Sequence, residues 1–278
     1  MKKKKIQNLV IRIVFLILII IATINWYYRE LPQQTIIFIP DVKVPTSSDR
    51  VLVFAPHPDD ETIATGGYII KSLKENASVS IVILMNGNWR SEERKRYDEL
   101  LEATNTLGVK EENIYFLNYP DNSLRKQNPK KVKKEFMSII NKVEPTIILF
   151  PTTKDFHTDH KTAGKILKEL IVEEKLYEKN ITFYEYLVHF PNYPEPIFSL
   201  RKTSSFDKYM LPPTRLLSFD YTWNKLLLDN EEQSKKLEAV LAYKSQLSYI
   251  REPFLRALLF GMVRKNELFI VDKEINKD

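Results

Sequence analysis

The chain has 278 residues, no cysteine and a formal net charge of +6. Without thiols, disulfides, thiolate metal ligands and a cysteine nucleophile are all excluded. Lys2, Lys3, Lys4, Lys5 and Arg12 carry five of the six charges, which leaves +1 for the remainder, so the body gives no reason to expect nucleic acid as a partner.

Residues 1–30 read as a basic cytoplasmic end followed by a membrane anchor. Leu9–Tyr28 is apolar except for Arg12, whose long side chain can reach the interface. A span of ~20 apolar residues is what a helix needs to cross a bilayer. Trp26, Tyr27 and Tyr28 sit at its far end as an interfacial aromatic belt would. The lysine cluster predicts a single-pass protein of the cell membrane, N-terminus inside and the remainder of the chain outside. A cleaved signal peptide has the same order of segments, but Ala22-Thr23-Ile24 is a poor cleavage site. Residues 31–50, with Pro32, Pro40 and Pro45, read as a stalk or linker, or in part as an edge strand through Thr35–Ile39.

Residues 51–278 read as one domain. Val51–Ala55 is a short β-branched apolar run ended by Pro56, hence a buried strand. A helix follows over Thr62–Lys74 and a strand over Val79–Leu84. Ser91–Leu107 is a charged amphipathic helix, with Ser91 as its cap and Gly108 just past its end. A strand over Asn113–Leu117, a helix over Pro129–Val143, a strand over Thr146–Phe150, a helix over Thr162–Leu176 and a strand over Ile181–Val188 continue the alternation. After Pro191 the pattern loosens, apart from a late helix over Glu231–Ser245. This alternation predicts an α/β fold with a Rossmann-like, doubly wound, mainly parallel sheet. Ligands of such sheets collect beyond the carboxyl ends of the strands.

Two clusters fall at those ends. His57-Pro58-Asp59-Asp60-Glu61 follows the first strand, and His157-Thr158-Asp159-His160 ends the loop after the Thr146–Phe150 strand. Three of the four histidines are in these clusters. His57 and Asp60 are three residues apart, as are His157 and His160, so each pair shares a face if a helix starts there. Two imidazoles and a carboxylate form a mixed nitrogen and oxygen set that suits zinc and keeps one position open. Asp59 lies between two of the candidate ligands and could take a proton from water. Either cluster alone could be helix capping or packing.

His57-Pro58-Asp59-Asp60-Glu61 with Gly66-Gly67, together with His157-x-Asp159-His160, resembles the PIG-L/LmbE-like zinc-dependent deacetylases. Weaker matches are Arg96-x-x-Glu99-x-x-x-Ala103-x-x-x-Leu107-Gly108, Tyr119-Pro120-Asp121-Asn122, where glycine is more usual than Asn122, and Lys236 through Gln246. The resemblance spans residues 51–269 and implies roles. His57, Asp60 and His160 would hold the metal, zinc, with ferrous iron or another divalent ion as the alternative. Asp59 would be the general base. A protonated His157 would face the developing oxyanion, oriented by Asp159. Arg96 and Asp121 would contact sugar hydroxyls. The implied substrate is an N-acetylglucosamine-type sugar or glycoconjugate. His189 reads as structural or at a pocket rim, and Glu61 as an outer neighbour of the site. Two other functions remain open: a non-catalytic cell-surface glycan-binding module, and a non-haem iron oxygenase.

Overall fold

A computed structural model describes residues 2–27, 31–88, 92–194, 205–248 and 253–276. Ser91, expected as a helix cap, and Tyr28, expected in the aromatic belt, lie outside the described residues.

Helix α1 (Lys2–Tyr27) contains a span, Ile6–Ile24, with mean hydropathy 2.4 and none of it buried. The body is built from strands β1 (Arg50–Ala55), β2 (Ser78–Met85), β3 (Ile114–Tyr119), β4 (Ile147–Pro151), β5 (Thr182–Tyr186), β6 (Tyr221–Leu227) and β7 (Asn266–Asp272). They form one sheet in the order β3-β2-β1-β4-β5-β7-β6. The first five run parallel, and β7 is antiparallel to both β5 and β6. This is the expected doubly wound, mainly parallel architecture.

The buried strands read as continuous apolar runs because both faces of the sheet are covered. In β1, Val51, Val53 and Ala55 join one core cluster, which also holds residues of α2 (Asp60–Lys74), α3 (Glu93–Leu107) and α6 (Asn230–Ala242). Leu52 and Phe54 point the other way, into a cluster with α4 (Pro129–Val143) and α5 (Thr158–Glu173). Helix α4 has the expected limits because its signals are local. Asn128 caps it by accepting the Lys130 N–H at 3.0 Å, Pro129 opens the first turn, and Val132, Phe136, Ile139 and Ile140 form its buried stripe. Gly108 ends α3 at φ +100°, the left-handed position expected for it.

Several boundaries differ from expectation for identifiable reasons. Helix α5 starts at Thr158 rather than Thr162, because the His157 side chain itself accepts the Asp159 N–H and caps the helix. Helix α2 likewise starts inside its motif, at Asp60. Residues 31–50, expected as a stalk, pack on the body. Gln33–Phe38 is a 3₁₀ helix rather than an edge strand, and Ile36, Ile39 and Val42 are buried. The sheet edge is met just beyond it, where Val42 donates to the Lys225 carbonyl at 2.9 Å and Lys225 donates to that of Pro40 at 2.8 Å. Strands β6 and β7 and helix α7 (Pro253–Gly261) were not foreseen.

Gly164 shows how closely α5 sits on the sheet. A Cβ there would lie 2.3 Å from the Pro151 carbonyl oxygen and 3.1 Å from Thr153 N, all backbone of the β4–α5 connection. Gly164→Ala should therefore destabilise the fold by roughly 1–3 kcal/mol from overpacking, against a helix-propensity gain of about 1 kcal/mol. Thermal unfolding of the variant should show a lowered midpoint, and an unchanged midpoint would mean the contact relaxes freely.

Candidate active site

The strand order reverses between β1 and β4, and the two histidine loops leave the sheet there, side by side. Asp60 Oδ2 accepts the His57 backbone N–H at 2.9 Å. The same oxygen lies 3.3 Å from His57 Nδ1 and 3.0 Å from His160 Nε2. His57 Nδ1 and His160 Nε2 are 3.3 Å apart. Donors bonded to a tetrahedral ion at ~2.0–2.1 Å lie roughly 3.3 Å from one another, so this triangle has the dimensions of a zinc site. Two wider sets, His57 with His157 and His160, and Asp60 with His160 and His189, lie within 4.8 Å. The tighter triangle fits a metal better on size.

Carboxylates behind the triangle fix the imidazoles. Asp159 Oδ2 lies 3.2 Å from His57 Nε2, which aims Nδ1 at the triangle. Asp159 was expected to orient and charge-stabilise His157; its carboxylate bonds His57 instead, although its charge still favours a protonated His157. The reason is the β3 loop, where the Asn122 and Leu124 N–H groups donate to Asp159 at 2.7 and 3.2 Å and turn it toward His57. His157 instead receives the Asp159 backbone N–H on Nδ1, so its neutral form carries the proton on Nε2. Asp155 stands behind His160, with Oδ2 3.2 Å from Nδ1, although out of line for a hydrogen bond. Asp155 is itself held by N–H groups of His157, Val188 and His189.

These carboxylates make the spot favourable for positive charge. Burial would lower the His57 pKa, but hydrogen bonds from Asp159 and Asp60 outweigh it and raise the value to about 9. His160 is raised well above its ordinary value against burial, by Asp60 and Asp155. Asp60 is held well below the usual carboxylate range, because His160 and His57 outweigh its burial. By contrast, burial and the neighbouring His57 and His160 push His157 down to about 4. That direction runs against the protonated side chain expected for His157.

Asp59 sits at φ 125°, a backbone conformation that L residues rarely adopt, at the turn into α2. Burial raises its pKa to about 7, with Arg96 opposing. The Arg96 guanidinium donates to Asp59 Oδ2 at 2.8 Å and also to the Pro58 carbonyl. Arg96 was expected to contact sugar; it lines the pocket but is buried and holds Asp59. Asp121 does line the pocket, fixed by the Gly87 N–H at 3.1 Å. The adjacent Asn122 lies at φ +59°, which explains why glycine or asparagine suits that position.

Residues 52–171 match the family described as PIG-L, GlcNAc-PI de-N-acetylase. That match takes in both histidine loops. A probable N-acetyl-α-D-glucosaminyl L-malate deacetylase 2 of Bacillus anthracis is 26% identical over 135 residues, 44% of this chain and 59% of that protein. Diacetylchitobiose deacetylase of Thermococcus kodakarensis is 31% identical over 127 residues, 41% of this chain and 46% of that protein. The chain thus spans about half the length of these curated relatives. Among solved structures, N,N'-diacetylchitobiose deacetylase from Pyrococcus horikoshii with its inhibitor MPG superposes with a TM-score of 0.58 at 24% identity, over 84% of this chain and 87% of that one. That likeness shows the fold.

Both ends of the PIG-L match fall in secondary structure that carries the two loops, β1 and α5. Within it, Asp155 is a site residue that sequence reasoning missed, although it precedes His157 by only two positions. His189, expected as structural or at a rim, lines the pocket and packs edge-on against His160 with ring centroids 4.8 Å apart. Glu61 is an outer neighbour as expected: it accepts the Asp59 N–H at 3.1 Å and the Tyr243 hydroxyl. Gln246, Leu255, Leu258 and Leu259 line the pocket from beyond the PIG-L match.

Proposed function

We propose that this chain is a membrane-anchored, metal-dependent hydrolase that removes the acetyl group from an N-acetylglucosamine-type sugar or glycoconjugate. The observation that carries the reading is the His57–Asp60–His160 triangle, with edges of 3.0–3.3 Å, set beside the buried Asp59–Arg96 pair. The PIG-L match and the deacetylase names of the relatives support the reaction class.

His57, Asp60 and His160 would hold the metal, with zinc favoured by the donor set. A bound zinc ion supplies Lewis acidity, activating water and polarising the amide carbonyl. Arg96 holds Asp59 in place, and Asp59 accepts the proton of the attacking water. His157 Nε2–H faces the developing oxyanion as a donor. Asp159 keeps His57 Nδ1 directed at the metal position, and Asp155 supports His160. Asp121 is assigned to a sugar hydroxyl. The wild-type protein should release acetate from N-acetylglucosamine and its glycosides; amide-bond stability across soluble, lipid-linked and cell-wall substrates alike would sink the reading.

The basic end and the apolar Ile6–Ile24 span support an N-terminus inside and the domain outside. Protease added to intact spheroplasts should remove the domain. Full protection until lysis would reverse the orientation.

A further inference from the structure

Residues 31–50 dock at the β6 edge of the sheet, and that edge exposes apolar side chains. In and just after the 3₁₀ helix Gln33–Phe38, three residues per turn put Ile36 and Ile39 on one side, where both are buried. Ile37 and Phe38, between them, face outward at 73% and 80% exposure. Asp41 pairs in parallel with Lys225, so the chain before it runs back toward the Tyr221 end of β6. The connection entering that end carries a second exposed pair, Leu217 and Phe219, the latter 96% exposed. A lone exposed apolar side chain is ordinary, but four at one sheet edge form a patch that is costly to leave in water.

The short link to α1 decides what covers this patch. Gln33 is fixed to the body: its side chain accepts the Tyr209 N–H at 2.7 Å and donates to the Tyr209 carbonyl at 3.1 Å. Gln33 follows Tyr27, the last residue of α1, by six positions, and six extended residues cover at most ~20–22 Å. The apolar span of α1 ends at Ile24, only ~4.5 Å of helix before Tyr27. With α1 in a bilayer, the outer lipid surface is thus always within reach of the patch. A link this short acts as an effective concentration in the roughly millimolar range, at which weak apolar contacts are populated. We propose that Ile37 and Phe38, with Leu217 and Phe219, form a second membrane contact that lays the β6 edge of the body on the bilayer spanned by α1. It rests on the anchored reading of α1 and goes beyond it, by fixing which edge of the body meets lipid.

The chain has no cysteine, so one introduced cysteine can carry a label without competition. Full-length Leu16→Cys, Phe38→Cys, Phe219→Cys and Lys131→Cys are labelled with an environment-sensitive dye. Each is placed in nanodiscs whose lipids bear a nitroxide either just below the headgroups or near the chain ends. Leu16 lies in the apolar span, and exposed Lys131 lies on α4, which packs on the opposite face of the sheet from Ile36. Phe38→Cys and Phe219→Cys should lose more fluorescence to the shallow nitroxide than to the deep one, because an interfacial contact sits only ~5–10 Å into the headgroup and acyl boundary. Leu16→Cys should show the reverse order, and Lys131→Cys should lose none. Ile37→Ser/Phe38→Ser, combined with Phe219→Cys, should relieve quenching of the Phe219→Cys label. The thermal midpoint of that variant should not change, since both side chains are exposed. Quenching of Leu16→Cys without quenching of Phe38→Cys and Phe219→Cys would keep the anchor and overturn the contact. A blue-shifted but unquenched label in Phe38→Cys would place a second copy or another protein on the patch and overturn it too. No quenching of Leu16→Cys would remove the anchor itself, and the contact with it.

Discussion

Asp59→Asn is expected to lower amide turnover by ~10²–10⁴-fold, the usual scale of general base catalysis, with metal content and fold retained. Asparagine keeps the size of the side chain, and its carbonyl oxygen can still accept from the Arg96 guanidinium that holds Asp59 Oδ2 at 2.8 Å. What it loses is the capacity to take a proton. The native carboxylate is well placed for that task, because it lines the pocket and burial lifts its pKa to about 7. Its backbone is held at φ 125°, a conformation that L residues rarely adopt. Near-normal turnover in Asp59→Asn, measured as acetate release on protein of matched metal content, would remove Asp59 as the base.

His160→Ala should lose most of its metal. His160 is fully buried, with Nε2 facing both Asp60 and His57 and Nδ1 facing Asp155. Removal of an outer-shell partner typically costs 10–100-fold in affinity, so loss of a direct ligand should cost at least about 100-fold. The same comparison decides among the donor sets. His157→Ala and His189→Ala should retain about one ion per chain if the tight triangle is the site. Metal loss in His157→Ala would favour His57, His157 and His160; metal loss in His189→Ala would favour Asp60, His160 and His189. Because His160→Ala leaves Asp60 and Asp155 buried without their partner, thermal unfolding should accompany the elemental analysis.

The centre of the fold was legible because its signals are local. Strand β1 is a six-residue run with five buried positions, and α4 announces both its cap and its stripe. The pairing of the two histidine loops was also legible, since alternating strands and helices predict a sheet whose strand ends converge. The partner of Asp159 was not. It depends on backbone N–H groups of Asn122 and Leu124, more than thirty residues earlier in the chain. Asp155 was overlooked because a carboxylate near a histidine motif has many bland explanations, and its link to His160 requires the helix to start at Thr158. The edge strands β6 and β7 are antiparallel additions reached through long connections, and only β6 shows a partial alternation of buried and exposed positions. Helix α7 is a nine-residue apolar segment with no acidic first turn or basic last turn to mark it. Residues 31–50 looked like a linker because of their prolines, yet Ile36, Ile39 and Val42 supply the apolar contacts that dock them.

The most direct test couples the metal to the reaction. The full-length protein is stripped of divalent ions by chelation, then titrated with zinc and, separately, with ferrous iron under anaerobic conditions. Bound metal and acetate released from an N-acetylglucosamine glycoside are measured on each sample. The expected result is no acetate release from the stripped protein and recovery that rises in step with occupancy, reaching its plateau at about one ion per chain. Acetate release by fully stripped protein at the wild-type rate, or full occupancy with no release from any N-acetylated sugar, would contradict a metal-dependent deacetylase.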